Sequence, residues 1–444
     1  MIIFLITFFL IFTLICAKNI RYGVYVVIFS MPLYLVRFSI GGIPSTALEM
    51  MIYILFLVWI LTGVHSLECN KSWLKQTNSI YRLKPELHDL NSLLSKNKIL
   101  LAGILLLFLG LTISTLNSTD LRTSLGIFKG WFFDSFLFFI VFVSVVKKNK
   151  HIILSLKSWA LSSVAVSLIS IFYLLNNELT FDGRLKAFFL SPNHLAMYLA
   201  PAFLIALFFL LNKRVFSIFL LIIFVPLYFT YSYGAFLGIF AGILYLASRD
   251  AINRVSTVNI FRNRVSGTRN SVSVYVFLLI IIFAGFIFIS SNKFNQITNS
   301  DSRSSFHSRL MIWNSAGEII KDNPLFGIGP GTFQKTYLSY AEKFDEQYLE
   351  WAVPQPHNIF LAFYLQTGLI GFIGFILILF WFFKRMNEAV PRSYNIINAL
   401  MIYTLIHGLV DTTYWKNDLS LMFWLLIGMA IVGNLALDKN QKVC

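Results

Sequence analysis

The sequence predicts an all-α, polytopic helical membrane protein of about 12–13 transmembrane helices, with one large extracytoplasmic loop containing short helices. Three observations carry this. Of the 444 residues, 57% are hydrophobic and only 13% charged, with 46 Phe, which is too little polar surface for a soluble chain of this size. Apolar runs long enough to cross a bilayer recur along the chain. Basic residues gather in the connections that alternation places on one side.

The first run, near 1–17, has no basic leader and no A-x-A site. Its Leu14-Ile15-Cys16 end also lacks the small residue of a lipoprotein cleavage site, so it reads as a first span and not a removable signal. Runs follow near 20–37, 46–64, 98–116, 126–146, 152–175 and 193–211. The stretch 214–248 is too long for one span, and Pro226 with Thr230-Tyr231-Ser232-Tyr233-Gly234 divides it into two short ones. Further runs lie near 273–290, 358–383, 394–411 and 418–436. No internal repeat of the kind that marks secondary transporters is evident.

The connections 65–97, 147–151, 212–214, 249–271 and 384–392 are all basic and fall on one side, which is therefore cytoplasmic. The other side receives 117–125, 176–192, 230–234, 291–357 and 412–417. The chain thus divides into N-terminal helices (1–290), an outer loop (291–357) and C-terminal helices (358–444). The formal charge of +16 belongs to this asymmetry, and a nucleic-acid partner is not expected. Cys16, Cys69 and Cys444 show no CxxC spacing, so neither a disulfide framework nor a metal knuckle is suggested. There is no H-E-x-x-H, G-x-S-x-G, P-loop or outward D-x-D pair; no metal and no cofactor are expected.

Chemistry is sought in the outer loop, because a long loop on a membrane scaffold is where function usually sits. Phe306, Leu310, Trp313, Gly317 and Ile320 recur at steps of three and four, predicting an amphipathic helix of about four turns. Arg303 and Arg309 lie near its start. Asn323-Pro324 ends it, and Gly327, Gly329 and Gly331 allow a tight path with exposed backbone N–H groups, which makes Gly329 a candidate substrate contact. The stretch 333–351 is aromatic and acidic; it suits sugar rings and an interfacial belt equally. His357 sits between Pro356 and Asn358 at the mouth of a long apolar helix. A helix N-terminus favours neutral imidazole, which can take a proton from an attacking hydroxyl; the plainer reading is a polar cap at the interface. Arg184 and Arg309 offer guanidinium forks for a lipid-linked pyrophosphate, or for headgroups. Ser191-Pro192-Asn193-His194 opens another helix, and Asp411 stands at a third helix mouth, where it can orient a base, hold an acceptor or pair with an arginine.

Arg309…Trp313, Asn323-Pro324-Leu325-Phe326-Gly327-Ile328-Gly329-Pro330-Gly331, Pro356-His357-Asn358-Ile359-Phe360-Leu361 and Gly368-Leu369-Ile370-Gly371 together resemble the O-antigen ligase / O-antigen polymerase superfamily. Gly183-Arg184 with Ser191-Pro192-Asn193, and His407-Gly408…Asp411, are similar to further segments of that superfamily. The resemblance implies a metal-independent glycosyltransferase of the GT-C type in the cytoplasmic (inner) membrane of a bacterium, its site facing the periplasm. It implies an undecaprenyl-pyrophosphate-linked glycan as donor, and a second glycan, lipid A–core or a protein hydroxyl as acceptor. Carried over, His357 is the general base and Arg309 and Arg184 hold the pyrophosphate, with Asn193, Gly329, Asn358 and Asp411 as further binding residues. Many relatives have Ser-Arg where this chain has Ser232-Tyr233, so Tyr233, Arg303 or Arg184 must take that arginine's place. A polysaccharide or lipid transporter is the reading from a different class; a polar path through the membrane midplane would mark it.

Overall fold

The computed structural model describes residues 2–68, 97–210, 215–258, 305–340, 352–388 and 394–441. Helices α1 (Ile2–Lys18), α2 (Ile20–Phe29), α3 (Ala47–Glu68), α4 (Lys98–Leu116), α5 (Leu121–Val145), α6 (Asn149–Leu175), α7 (Pro192–Leu210), α8 (Phe216–Phe229) and α9 (Tyr233–Val258) precede the 305–340 segment. That segment contributes α10 (Ser305–Asp322) and α11 (Phe333–Ser339), and α12 (Ile359–Glu388), α13 (Asn395–Gly408) and α14 (Asn417–Gln441) follow. Among the described residues five helices are long and apolar enough to cross a membrane, and shorter apolar helices accompany them. The chain is a polytopic helical membrane protein, and the break between α8 and α9 falls at the turn read from the sequence. The run expected near 273–290 lies outside the described residues.

One expected span is corrected. The run 20–37 is not a single helix: α2 stops at Phe29, Pro32 sits in a 3₁₀ turn, Met31–Leu35, and a hairpin follows. Proline cannot supply the N–H that a continuing helix needs. The hairpin pairs Arg37–Ile40 (β1) with Ile43–Thr46 (β2) antiparallel, Ile40 opposite Ile43. Gly41 and Gly42 turn it with φ of 58° and 81°, the left-handed pair that a two-residue hairpin loop requires.

Small residues let helices meet closely where lipid offers no hydrophobic drive. A Cβ on Gly110 of α4 would overlap the backbone nitrogen of Gly371 in α12, and one on Gly374 would overlap that of Leu107. Around this seam the core is aromatic: Phe363 stacks on Phe375 with centroids 3.8 Å apart, and Tyr414 and Trp415 pack on Phe132 and Phe363.

Helix α12 breaks at Gly368, whose φ of 67° and ψ of −179° only glycine adopts at low cost. The break frees backbone groups, and the Asn323–Gly331 turn satisfies them. Ile328 N donates to Leu365 O at 2.7 Å, and Leu369 N donates to Leu325 O at 3.0 Å. Met311, Ile312, Ala316, Ile319, Ile328 and Phe333 form a second small core that closes on Leu365 of α12. The 305–340 segment is thereby fastened to the bundle. Helix α10 is present as expected, but its buried stripe is Ser308, Met311, Ile312, Ser315, Ala316 and Ile319, while Leu310 is 37% exposed.

Candidate active site

The end of the bundle that carries the 305–340 segment gathers five connections into one cluster. Asn358 begins α12 as an N-cap: its Oδ1 accepts from Phe360 N at 2.9 Å and Leu361 N at 3.1 Å, satisfying two orphan helix donors. Its Nδ2 donates to Leu409 O at 3.0 Å, tying α12 to the loop after α13. Trp313 of α10 donates its indole N–H to Pro356 O at 3.0 Å. Between these two anchors His357 is held in the left-handed region, φ 47°. A non-glycine residue there carries strain that its surroundings must over-determine.

That conformation directs the imidazole to Asp411. His357 Nδ1 lies 3.2 Å from Asp411 Oδ1, with the side chains 28% and 5% exposed. Asp411 sits on a turn in which Val410 N and Asp411 N both donate to His407 O. It also accepts from Thr412 N at 2.8 Å and from Asn193 Nδ2 at 2.9 Å. Burial alone would raise the Asp411 pKa. The hydrogen bond from His357 and the electrostatic influence of His357, His407 and Arg309 outweigh it and hold the carboxyl well below the usual range. An ionised Asp411 can only accept, so His357 donates through Nδ1–H and its Nε2 lone pair is left to act.

Two arginines converge beside this dyad. Arg184 donates through Nε to Thr230 O at 2.8 Å and through NH2 to Asn193 Oδ1 at 2.6 Å, with Asp182 at 3.9 Å. Burial lowers its pKa and nearby Arg309 lowers it further, while Asp182 and Asp411 oppose; guanidinium nonetheless stays charged. Arg309 donates through Nε to Val410 O at 2.9 Å. Tyr233 opens α9 within electrostatic reach of Arg184. Arg184, Asn193, Tyr233, Arg309, His357, Asn358 and Asp411 are therefore brought together. Arg303 and residues 341–351 lie outside the described residues.

Two expected substrate contacts take different parts here. The glycine turn predicts exposed backbone N–H groups, but Gly329 N donates to Ser114 Oγ at 3.1 Å, and Gly331 N donates to Gln366 Oε1 at 3.0 Å. The glycines serve close packing: a Cβ on Gly329 would fall 2.5 Å from that of Ser118. The Asn358 amide is spent on capping and on Leu409. Sequence reasoning missed a half-buried ion pair at the same end. Glu49 accepts from Lys129 Nζ at 2.9 Å, Ser45 Oγ at 3.0 Å and Asn417 Nδ2 at 3.1 Å, fixing the far end of the 409–416 loop. The six-residue π segment Phe128–Phe133, which carries Lys129, is set in α5 and has no pattern in sequence to announce it.

With this geometry in view, residues 217–376 match the family model described as O-Antigen ligase. The match takes in Tyr233, Arg309, Gly329, His357 and Asn358, and bears out the motif resemblance over that stretch. A protein of Rickettsia conorii named "Putative polysaccharide ligase" is 26% identical over 128 residues, 28% of this chain and 31% of that one. Its namesake in Rickettsia felis is 24% identical over 128 residues, with the same coverage. The chain spans about a third of the length of each of these relatives.

Proposed function

We propose that this membrane protein, with its O-antigen ligase region, is an inverting glycosyltransferase of the bacterial cytoplasmic membrane. It moves a glycan from undecaprenyl pyrophosphate to an acceptor hydroxyl on the outer face. The observation that carries the reading is the His357–Asp411 dyad set beside Arg184 and Arg309 in one loop cluster.

In the reaction, Asp411 keeps Nδ1–H of His357 engaged, and Nε2 accepts the proton of the acceptor hydroxyl. The hydroxyl oxygen attacks the anomeric carbon from the face opposite the pyrophosphate. The bond from that carbon to the phosphate oxygen breaks, its electron pair stays on the leaving pyrophosphate, and the anomeric configuration inverts. Arg184 and Arg309 stabilise the departing charge, a task that a fork of fixed N–H donors performs without reorganisation. Lipid A–core, a second lipid-linked repeat and a protein Ser or Thr present the same nucleophile, so one machinery serves any of them.

The test is transfer by purified protein from undecaprenyl-pyrophosphate glycan, with those three acceptors offered in parallel. Release of undecaprenyl pyrophosphate together with an inverted product on one acceptor is expected, and chelators leave it intact. Folded protein that transfers to none of the three overturns the reading.

A further inference from the structure

On the reading above, the clamp and the base must act on the same bond, and one side chain joins them. Arg184 NH2 donates to Asn193 Oδ1 at 2.6 Å, Asn193 Nδ2 donates to Asp411 Oδ2 at 2.9 Å, and Asp411 Oδ1 accepts from His357 at 3.2 Å. The orientation of the amide is dictated by its neighbours. A guanidinium can only donate and an ionised carboxylate can only accept, so oxygen must face Arg184 and nitrogen Asp411. Asn193 is held at the first turn of α7 behind Pro192, where proline's fixed φ pre-sets the helix. Asp411 is 3% exposed, and a buried carboxylate that loses a partner bears the full cost of the unmet bond.

We propose that Asn193 is a positioning residue that couples the pyrophosphate-holding Arg184 to the His357–Asp411 base, and is not itself a ligand of the glycan. Arg184 is steered by two protein acceptors, Thr230 O through Nε and Asn193 Oδ1 through NH2, while NH1 faces the half-exposed Asp182 at 3.9 Å. Anything that draws Arg184 toward a phosphate acts on Asp411 through a single amide. Coupling of this kind is reciprocal, so the arrangement of the base also sets the donor affinity.

Two substitutions separate the ends of the bridge. Asn193→Leu removes both bonds at similar volume, and both donor KM and kcat worsen by about tenfold or more. Asn193→Asp keeps an acceptor for Arg184 but opposes a second carboxylate to Asp411. Donor KM then stays within about twofold while kcat falls about tenfold or more at pH 8. A proton gained by the introduced carboxyl restores a donor toward Asp411, so the ratio of variant to wild-type kcat climbs as pH is lowered toward about 5. The charged and titratable groups around it are Arg184 and Asp182 from the 176–191 loop, His194 of α7, Tyr233 of α9, Arg309 of α10, His357 before α12, and His407 and Lys416 flanking Asp411. All are present in both proteins, so the ratio reports the introduced group.

Binding of undecaprenyl pyrophosphate, read as a thermal shift of the full chain in detergent, is measured alongside and needs no turnover. Asn193→Asp retains that shift and Asn193→Leu loses most of it. A raised KM with intact kcat in both variants makes Asn193 a substrate ligand and overturns the coupling. Equal losses in both variants with a pH-independent ratio make it merely structural and also overturn it. Wild-type protein that neither binds the pyrophosphate nor transfers glycan removes the proposed function, and this inference with it.

Discussion

His357 has three features that a single residue rarely combines: a left-handed backbone, a buried carboxylate on Nδ1 and a partly open ring. Each is bought by a neighbour, namely Trp313 on Pro356, Asn358 on Leu409 and the His407–Asp411 turn. Asp411→Asn releases the tautomer that leaves Nε2 free, and kcat is expected to fall about 10³–10⁴-fold, the scale set by losing the carboxylate of a Ser-His-Asp triad. Because the folded-state pKa of Asp411 is depressed, its contribution to stability is fully present above the unfolded carboxylate value and fades as pH falls through the folded one. The melting-temperature gap between wild type and Asp411→Asn therefore does not close between neutral pH and about 5 and narrows only below about 4. A gap that closes between pH 7 and 5 contradicts this. Arg309→Lys keeps the charge but loses both the fork and the bond to Val410 O, and transfer rates are expected to drop about 100-fold.

At the scale of elements, the segment bearing α10, α11 and His357 is positioned by a broken helix. Gly368→Ala forces a side chain into a conformation costing about 1–3 kcal/mol and onto Leu325 O, so it both destabilises the protein and unseats the segment bearing His357. Gly317 in α10 gives the contrast: a Cβ there meets nothing within 4 Å, and Gly317→Ala is expected to stabilise by about 0.5–1 kcal/mol. Thermal melts of the two variants check both signs. Spans such as 98–116 and 193–211 are legible because length and apolarity mark them, whereas 20–37 has both and its helix still stops at Phe29. The Gly368 break is not legible, because Gly368-Leu369-Ile370-Gly371 sits inside an unbroken apolar run and its cause, the Leu325–Ile328 backbone, lies elsewhere. The buried face of α10 was misread for a related reason: small Ser308, Ser315 and Ala316 carry the packing, and a search for large apolar residues picks Leu310 instead. The Ile40-Gly41-Gly42-Ile43 hairpin was hidden between two apolar runs that read as spans.

Over the whole molecule, the site is an assembly of distant sequence. Asn193 and Asp411 meet across 218 positions, so their types could be nominated from sequence but their bond could not. The opposite end of the bundle is basic, with Lys18, Arg21, Lys148, Lys150, Lys384 and Arg385 near the ends of α1, α2, α6 and α12. That asymmetry predicts the sidedness of the site. In intact cells a membrane-impermeant thiol reagent is expected to label Asp182→Cys and to spare Lys150→Cys until the membrane is opened. The reverse pattern would turn the site to the cytoplasm and remove an outer-face acceptor.

The most direct test of the account is a single-turnover measurement of undecaprenyl pyrophosphate release by folded wild-type protein and by His357→Ala, at saturating donor and acceptor. Loss of the base is expected to slow release by about 100-fold or more, with donor binding retained. An unchanged release rate in the folded variant would take His357 out of the chemistry and contradict the mechanism at its centre.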